Sequence, residues 1–270
     1  MLVYLKHQLI KKIEKIPLLQ IFIYNNLRFF DFLLPHDKDY YALKILFSRN
    51  ETRSFLDIGG NIGLSSIGFR KLGYKSNTIH IFEPDKDLVN KNLYSLKKKY
   101  KNIKIYPFGL SNQKSYQRLY KAYYKNIFFH FNNSFDKKYI RQKLHENYGD
   151  KSKKFLIRSK LLSLKKFDNL KIMEPICFVK IDVEGLDHKV LYGMKNYINK
   201  FFPVILIEYN HSNFSKIQNF LKKNYDCYFY DFRKNKLIKL SKLLLVKLRK
   251  GKILEKIFKN NSVNIFFIKR

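Results

Sequence analysis

The stretch from Phe55 to Ser66, "FLDIGGNIGLSS", constrains the fold more than any other part of the chain. Of only ten glycines in 270 residues, four (Gly59, Gly60, Gly63 and Gly68) fall between positions 59 and 68. An apolar run ends in an acid, Asp57, passes through a bare turn and enters a segment with helical patterning. Glycine permits positive φ and close approach by other atoms, and a helix N-terminus offers free N–H groups. A strand, a glycine turn and a helix in direct succession open a βαβ arrangement.

The rest of the chain repeats that alternation. The apolar runs "SFLDI", "TIHIFE", "IKIYPF", "CFVKID" and "VILIEY" read as strands, separated by the amphipathic segments "GLSSIGFRKLG", "DKDLVNKNLYSLKKKY" and "LDHKVLYGMKNYINKF". Strands that are apolar throughout and joined through helices are parallel and covered on both faces, which predicts a doubly wound α/β sheet. After "IEYN" come another helix, the strand "YDCYFYDF", a basic apolar tract from Lys236 to Lys259 and a last strand in "VNIFFIK". Residues 2–34 carry apolar positions at helical spacing, among them Leu5, Leu9 and Ile13, and stop near Pro35. The expected organisation is therefore a helical N-terminal extension over 1–50 and one main domain over 51–270.

In such sheets ligands bind outside the carboxyl ends of the strands, where the glycine turn lies. A dinucleotide fingerprint, G-x-G-x-x-G, fails here because Asn61 stands where the second glycine belongs. What remains is D-x-G-x-N-x-G. The next strand closes on Glu83, held at the sheet rim by Pro84, and a carboxylate there can accept both hydroxyls of a ribose. Further on stands "FVKIDVEGLDHKVLYGM". Strand alternation would point Lys180, Asp182 and Glu184 in one direction, and three charges on one strand face are either an ion pair or reaction chemistry. Glu208 and His211, in "IEYNHS", end the following strand at the same rim, and His188 lies on the intervening helix.

Together, "FLDIGGNIG", "IFEPD", "KIDVEG" and "FFPVILIEYN" resemble the FkbM-type methyltransferase family, with the blocks in that family's order over about residues 53–210. The resemblance implies a class I methyltransferase fold: a Rossmann-like, doubly wound, mostly parallel seven-stranded sheet with an antiparallel last strand. It also implies S-adenosylmethionine as cofactor and methylation of a hydroxyl on a sugar, a glycan-related molecule or another small acceptor. Carried over by motif, Asp57, Gly59, Asn61 and Gly63 would shape the methionine side of the cofactor and Glu83 would hold its ribose. The loop "PFGLSN" would line the adenine through Leu110 and Ser111. Asp182 is the first candidate for positioning or deprotonating the acceptor, followed by Glu184 and His211. Gly60 replaces an alanine common in the family, and the aromatic insert following Asn112 matches nothing in it.

The formal charge of +34, from 55 Lys and Arg against 21 Asp and Glu, raises a nucleic-acid partner and hence an RNA 2′-O-methyltransferase. Scattered lysines alongside abundant Asn, Ile, Phe and Tyr are also what AT-rich coding sequence produces, and "KIDVEG" carries no aromatic at its tip to hold a flipped base. A non-catalytic scaffold tethered to a membrane or glycan assembly has no need of Asp57, Glu83, Asp182 and Glu184. The tract Lys236–Lys259, with nine basic residues against Glu255 alone, is expected to form a basic amphipathic element suited to an anionic membrane surface. Cys177 and Cys227 lie in apolar runs without metal-ligand spacing, and no metal site is expected. No signal peptide or membrane span is legible, which points to the cytoplasm, with peripheral association at the inner membrane surface through 236–259.

Overall fold

The computed structural model describes residues 37–125, 127–249 and 264–270, together with Leu18 and Pro35. The helical pattern of 2–34, Leu18 excepted, and residues 250–263, which include the end of the basic tract at 250–259, therefore lie outside the described residues. The chain forms two compact units, one built from Pro35–Ser115 and Ser163–Arg270, the other including Tyr116–Leu162.

The larger unit opens with a 3-10 turn, Lys38–Ala42, and a short helix, Leu43–Leu46. Tyr40, Ala42 and Leu43 are buried, so the core reaches back beyond the boundary expected at residue 51. Then follow β1 (Ser54–Ile58), α1 (Leu64–Lys71), β2 (Ile79–Phe82), the helical stretch α2 (86–99, π-wound at Val89–Leu93), β3 (Ile103–Tyr106) and β4 (Gly109–Ser111).

The smaller unit contains β5 (Ser115–Tyr124), β6 (Ile127–Ser134), α3 (Lys137–Tyr148) and most of β7 (Phe155–Lys166). β5 pairs antiparallel with β6, and α3 lays Ile140, Leu144 and Tyr148 on Ala122 and Phe155. Asp136 caps α3 by accepting from the Lys138 and Tyr139 amides at 2.7 and 3.3 Å.

The chain returns to the larger unit through the end of β7, whose residues 164–166 pair with β4. It continues as β8 (Ile176–Ile181), α4 (Asp187–Gly193), α5 (Lys195–Phe201), β9 (Val204–Glu208), α6 (His211–Leu221), β10 (Tyr225–Asp231), β11 (Lys236–Lys239), α7 (Lys242–Arg249) and β12 (Asn264–Lys269). The main sheet has the order β11-β10-β12-β9-β8-β1-β2-β3. β3, β2, β1, β8 and β9 are parallel neighbours, and β12 runs antiparallel between β9 and β10.

The sheet has eight strands where seven were expected, because the start of the basic tract folds back on β10. Asp231 Oδ1 accepts from the amides of Arg233 and Lys234, and Tyr230 Oη bonds Asn235 Oδ1 at 2.6 Å. Asn235 adopts φ 49° and closes the turn. Lys236–Lys239 is thus a strand rather than the first turn of an amphipathic helix. The segment expected as one helix over "LDHKVLYGMKNYINKF" is likewise two, α4 and α5, separated at the buried Met194.

Alternation along the central strands sorts the two faces. Leu56, Ile58, Val179 and Ile181 join Val190 and Leu191 of α4 in an aliphatic layer. On the other face Phe55, Phe69 and Phe178 meet edge to face, with ring centroids 5.4–5.7 Å apart. Two residues further along the same face, the apolar pair Phe55 and Phe178 gives way to Asp57 and Lys180. The aromatic layer thus becomes a buried charged layer as it nears the carboxyl rim.

β8 is anchored at its start by a buried tyrosine. Tyr197 Oη donates to the Glu174 carbonyl at 2.7 Å and accepts from the Ile176 amide at 2.9 Å. Tyr197→Phe leaves both backbone groups without that partner and should cost about 1–3 kcal/mol. The measurement is urea denaturation, with a lower midpoint at an unchanged slope expected.

Candidate active site

The glycine loop joins β1 to α1 at the carboxyl rim of the sheet. Gly59 and Gly63 sit at φ 84° and 86°, and Asn61 takes the left-handed region at φ 48°, which Asn tolerates better than most residues. The loop is bare because protein atoms crowd it. A Cβ on Gly59 would lie 1.8 Å from the Asp182 carbonyl oxygen, one on Gly60 2.2 Å from Ile81, and one on Gly63 2.8 Å from Leu96. The amides of Gly59 and Gly60 both donate to the Phe82 carbonyl, at 2.9 and 3.1 Å. The loop is thereby pinned to the tips of β2 and β8.

Glu83, 6% exposed, ties the acid at the tip of β2 to this loop. Its Oε2 accepts from the Asn61 amide and its Oε1 from the Asp85 amide, each at 2.8 Å. Each carboxylate oxygen accepts more than one hydrogen bond, so these contacts orient the group without exhausting it.

Below the loop lies a buried ionic chain. Asp57, fully buried, accepts from Ser66 Oγ at 2.6 Å through Oδ2; its Oδ1 has no hydrogen-bond donor among the described residues and lies 3.8 Å from Lys180 Nζ. Lys180 Nζ reaches Asp182 Oδ2 at 3.1 Å and the Gly59 carbonyl at 3.5 Å. Burial alone would lower the affinity of this ammonium for its proton; Asp182 and Asp57 overcome that and hold its pKa above the ordinary lysine value. Tyr40 Oη and Ser65 Oγ, 2.7 Å apart, close the same face. The side chain of Asp182 remains 41% exposed, so the chain of charges opens to solvent there.

Glu184 departs from the expected pattern. β8 ends at Ile181, and Glu184 occupies a turn at φ 54° followed by Gly185 at φ 101°, so strand alternation no longer sets its direction. Lys180 and Asp182 do meet; Glu184 is exposed on the turn beyond them. His211 is exposed at the first position of α6, while the buried Asn213, two residues on, donates to the Gly185 carbonyl at 2.6 Å and so joins α6 to the turn. Glu208 ends β9, exposed, opposite Asn264. His188 packs edge-on against Tyr192, its pKa lowered by burial and then by Lys216 and Lys189. Leu110 and Ser111, expected in a loop, lie in β4, with Leu110 in the aliphatic core. The Ser111 carbonyl would lie 2.1 Å from a Cβ on Gly193, so β4 is pressed against α4. Among the described residues no group of three or more His, Cys, Asp or Glu side chains is placed to hold a metal ion, and no helix is long and apolar enough to cross a membrane.

The family model for the FkbM methyltransferase domain matches residues 57–233, about two thirds of the chain, starting at the buried Asp57. The chain belongs to this family. Among solved structures, the FkbM methyltransferase of Methylobacillus flagellatus is similar at 15% identity and TM-score 0.49, over 86% of this chain and 48% of that one. The present chain thus spans about half the length of that relative. The plantazolicin methyltransferase BpumL, solved with SAH, aligns at 10% identity and TM-score 0.42 over 98% and 99% of the two chains. Aeropyrum pernix fibrillarin, solved with S-adenosylmethionine, aligns at 9% and 0.37 over 86% and 76%. No curated protein sequence matches the chain.

Three residues of this FkbM site escape a reading of motifs: Tyr40, Ser66 and Asp187. The signal for Asp187 was an acid among apolar residues in "GLDHKVL". It is 4% exposed and accepts from the Val183 amide at 3.3 Å, bracing the turn after Asp182. Burial first, then the neighbouring Asp182, raises its pKa from an ordinary 3.8 to about 7, against the opposing pull of its backbone hydrogen bonds and Lys180. The folded state therefore holds this proton where the unfolded chain has released it, so the stability contribution is whole below about pH 4 and is lost as pH rises to about 7. Asp187→Asn should flatten that fall; thermal melts from pH 4 to 8 should show wild type losing more stability than the variant across this window.

Proposed function

We propose that the protein is an S-adenosylmethionine-dependent O-methyltransferase acting on a hydroxylated small molecule, a sugar or glycan-related acceptor above all. The observation that carries this reading is the 2.8 Å hydrogen bond from the Asn61 amide to Glu83, which joins the glycine loop to a buried carboxylate at the tip of the next strand. Charge supports it as well. In a chain of net +34, the acids Asp57, Glu83 and Asp182 stand at the tips of β1, β2 and β8, and Lys180 pairs with two of them. A cationic sulfonium cofactor suits such a place, and the buried Asp57 Oδ1, without a donor, offers an acceptor beneath it.

In this reading Glu83 holds the ribose hydroxyls, and Gly59, Asn61 and Gly63 shape the wall beside the methionine portion. The cofactor supplies a methyl group on a sulfonium that is already a good leaving group. What remains for the protein is to align the acceptor oxygen and take up its proton. Asp182 is suited to that work: Lys180 fixes Oδ2, and the exposed part of the carboxylate is open to an incoming hydroxyl. Glu184 and His211, both exposed near the turn, are secondary candidates. RNA 2′-O-methylation shares this chemistry; the absence of an aromatic side chain in the turn after β8 counts against methylation of a flipped base, not against a ribose hydroxyl as acceptor.

Calorimetry should show binding of the demethylated cofactor by wild type in the micromolar range, about 8 kcal/mol. Glu83→Ala should weaken it by about 10- to 150-fold, the loss of charged hydrogen bonds worth roughly 1.5–3 kcal/mol. Asp182→Asn should keep that affinity while methyl incorporation into sugar nucleotides or lipid-linked glycans falls about 10²–10⁴-fold. No binding by wild type would remove the cofactor assignment.

A second element concerns where the acceptor resides. α7 is seated by the fully buried Leu248, whose carbonyl accepts from Tyr209 Oη at 2.6 Å just past the carboxyl end of β9. On its outer side Leu243 is 64% and Val246 43% exposed, beside Lys242 and Lys247. We propose that this face meets an anionic membrane surface, each buried leucine or valine contributing about 1.5–3 kcal/mol and each lysine about 1 kcal/mol. Cosedimentation with anionic vesicles should fall to the neutral-vesicle level in Leu243→Ser/Val246→Ser. Wild type that stays in the supernatant at low salt would leave a soluble acceptor.

A further inference from the structure

The opposite rim of the main sheet carries a cavity. α1 starts at the carboxyl end of β1 and α2 beyond the carboxyl end of β2, and each runs back to the amino end of the next strand. Their final residues and the loops that follow them therefore meet at the amino rim, away from the glycine loop. There Arg70, Lys71, Lys75, Lys99, Tyr100 and Lys101 line a cavity of about 260 Å³. Five of the six described lining residues are cationic and none of them is acidic.

Arg70 is the built part of this cavity. It is 4% exposed, and its guanidinium donates to the carbonyls of Tyr74 and Lys75 at 2.6 and 2.9 Å and of Lys101 and Asn102 at 3.0 and 3.2 Å. One side chain thus ties the loop before β2 to the loop before β3. Its Nε is buried with no partner among the described residues.

Cations near helix C-termini are favoured by the helix dipole, and that is the competing explanation for these lysines. Each helix end carries only about half a negative charge, so two ends offset roughly one of the four positive charges of Arg70, Lys75, Lys99 and Lys101. The remainder faces a cavity with no carboxylate among its described lining residues. Its volume falls below the roughly 300–1,000 Å³ of pockets that hold drug-sized organic ligands, which favours a compact and highly charged occupant. Lysine ammoniums act as point charges for phosphate oxygens, and a ligand with two adjacent phosphates engages several at once.

We propose that this cavity binds a small polyphosphate through its diphosphate group, at a place separate from the cofactor loop and independent of the methyl-transfer reading. The probe is inorganic pyrophosphate, titrated calorimetrically into the full chain at low salt and again at about 0.15 M salt, where exposed charges more than about 8 Å apart are largely screened. Saturable binding with one site per chain is expected. Lys75→Gln/Lys99→Gln/Lys101→Gln should weaken it at least tenfold while leaving the melting temperature and the affinity for the demethylated cofactor unchanged. The charge-matched control Lys195→Gln/Lys200→Gln/Lys223→Gln, which alters lysines outside this cavity, should bind as wild type does. No saturable heat, several pyrophosphates per chain, or an equal loss in the control would overturn the proposal. So would binding of single-stranded RNA or anionic vesicles through these lysines with no binding of pyrophosphate.

Discussion

The site depends on one buried ammonium. Lys180 Nζ stands between Asp57 and Asp182, 3.8 and 3.1 Å away, and beneath the Gly59 carbonyl. Removing a charged amine from water is costly, and a single carboxylate seldom repays it; two carboxylates and a backbone carbonyl do so here. The geometry has a structural consequence. Asp57 belongs to β1, Asp182 follows β8, and Gly59 opens the loop, so a single cation draws the tips of two parallel strands and the glycine turn toward one point. Losing Lys180 would leave Asp57 buried with one oxygen short of a donor and no neutralising charge beside it.

That tension also explains the glycines. A cluster of glycines beside a ligand rim is ordinarily read as room for the ligand. At Gly59, Gly60 and Gly63, the space a side chain would need is already taken by the Asp182 carbonyl, by Ile81 and by Leu96. The loop must be bare so that β8 and α2 can press on it. Room for a ligand follows from where that pressure places Asn61 and Glu83. The placement of Asn61 against Glu83 is in this sense a by-product of how tightly the strand tips are packed.

Much of this was legible in the sequence. The five parallel strands follow from apolar runs without polar interruption, and the motif blocks identify Asp57, Glu83, Lys180 and Asp182, which the fold brings to one rim. What was not legible depended on local backbone conformation or on contacts distant in sequence. Alternation predicted a shared direction for Glu184, but two successive positive-φ residues end that regularity. The tract from Lys236 was expected to be one basic amphipathic element, but Asp231 and Asn235 close a turn that offers its first residues a strand partner instead. Leu110 looked like a loop residue, yet pairing of β4 with the end of β7 puts it in a strand and in the core. Tyr40 gave no sign of its partner Ser65, because nothing in composition connects residues that far apart.

The distribution of charge is the less obvious consequence of the fold. A net charge of +34 spread at random would leave every surface basic. At the carboxyl rim Asp57, Glu83 and Asp182 stand at the strand tips, with the basic α7 beyond the end of β9; at the amino rim, the ends of α1 and α2 gather five cations around one cavity. The alternation of a doubly wound sheet produces this separation directly, since turns that leave strands lie on one rim and turns that re-enter them lie on the other. Acids at strand tips and cations at helix ends thus come to lie at opposite rims as soon as the chain is wound. The composition that first suggested one basic surface resolves, once folded, into a cluster of acids at the strand tips of one rim and a cationic cavity at the other.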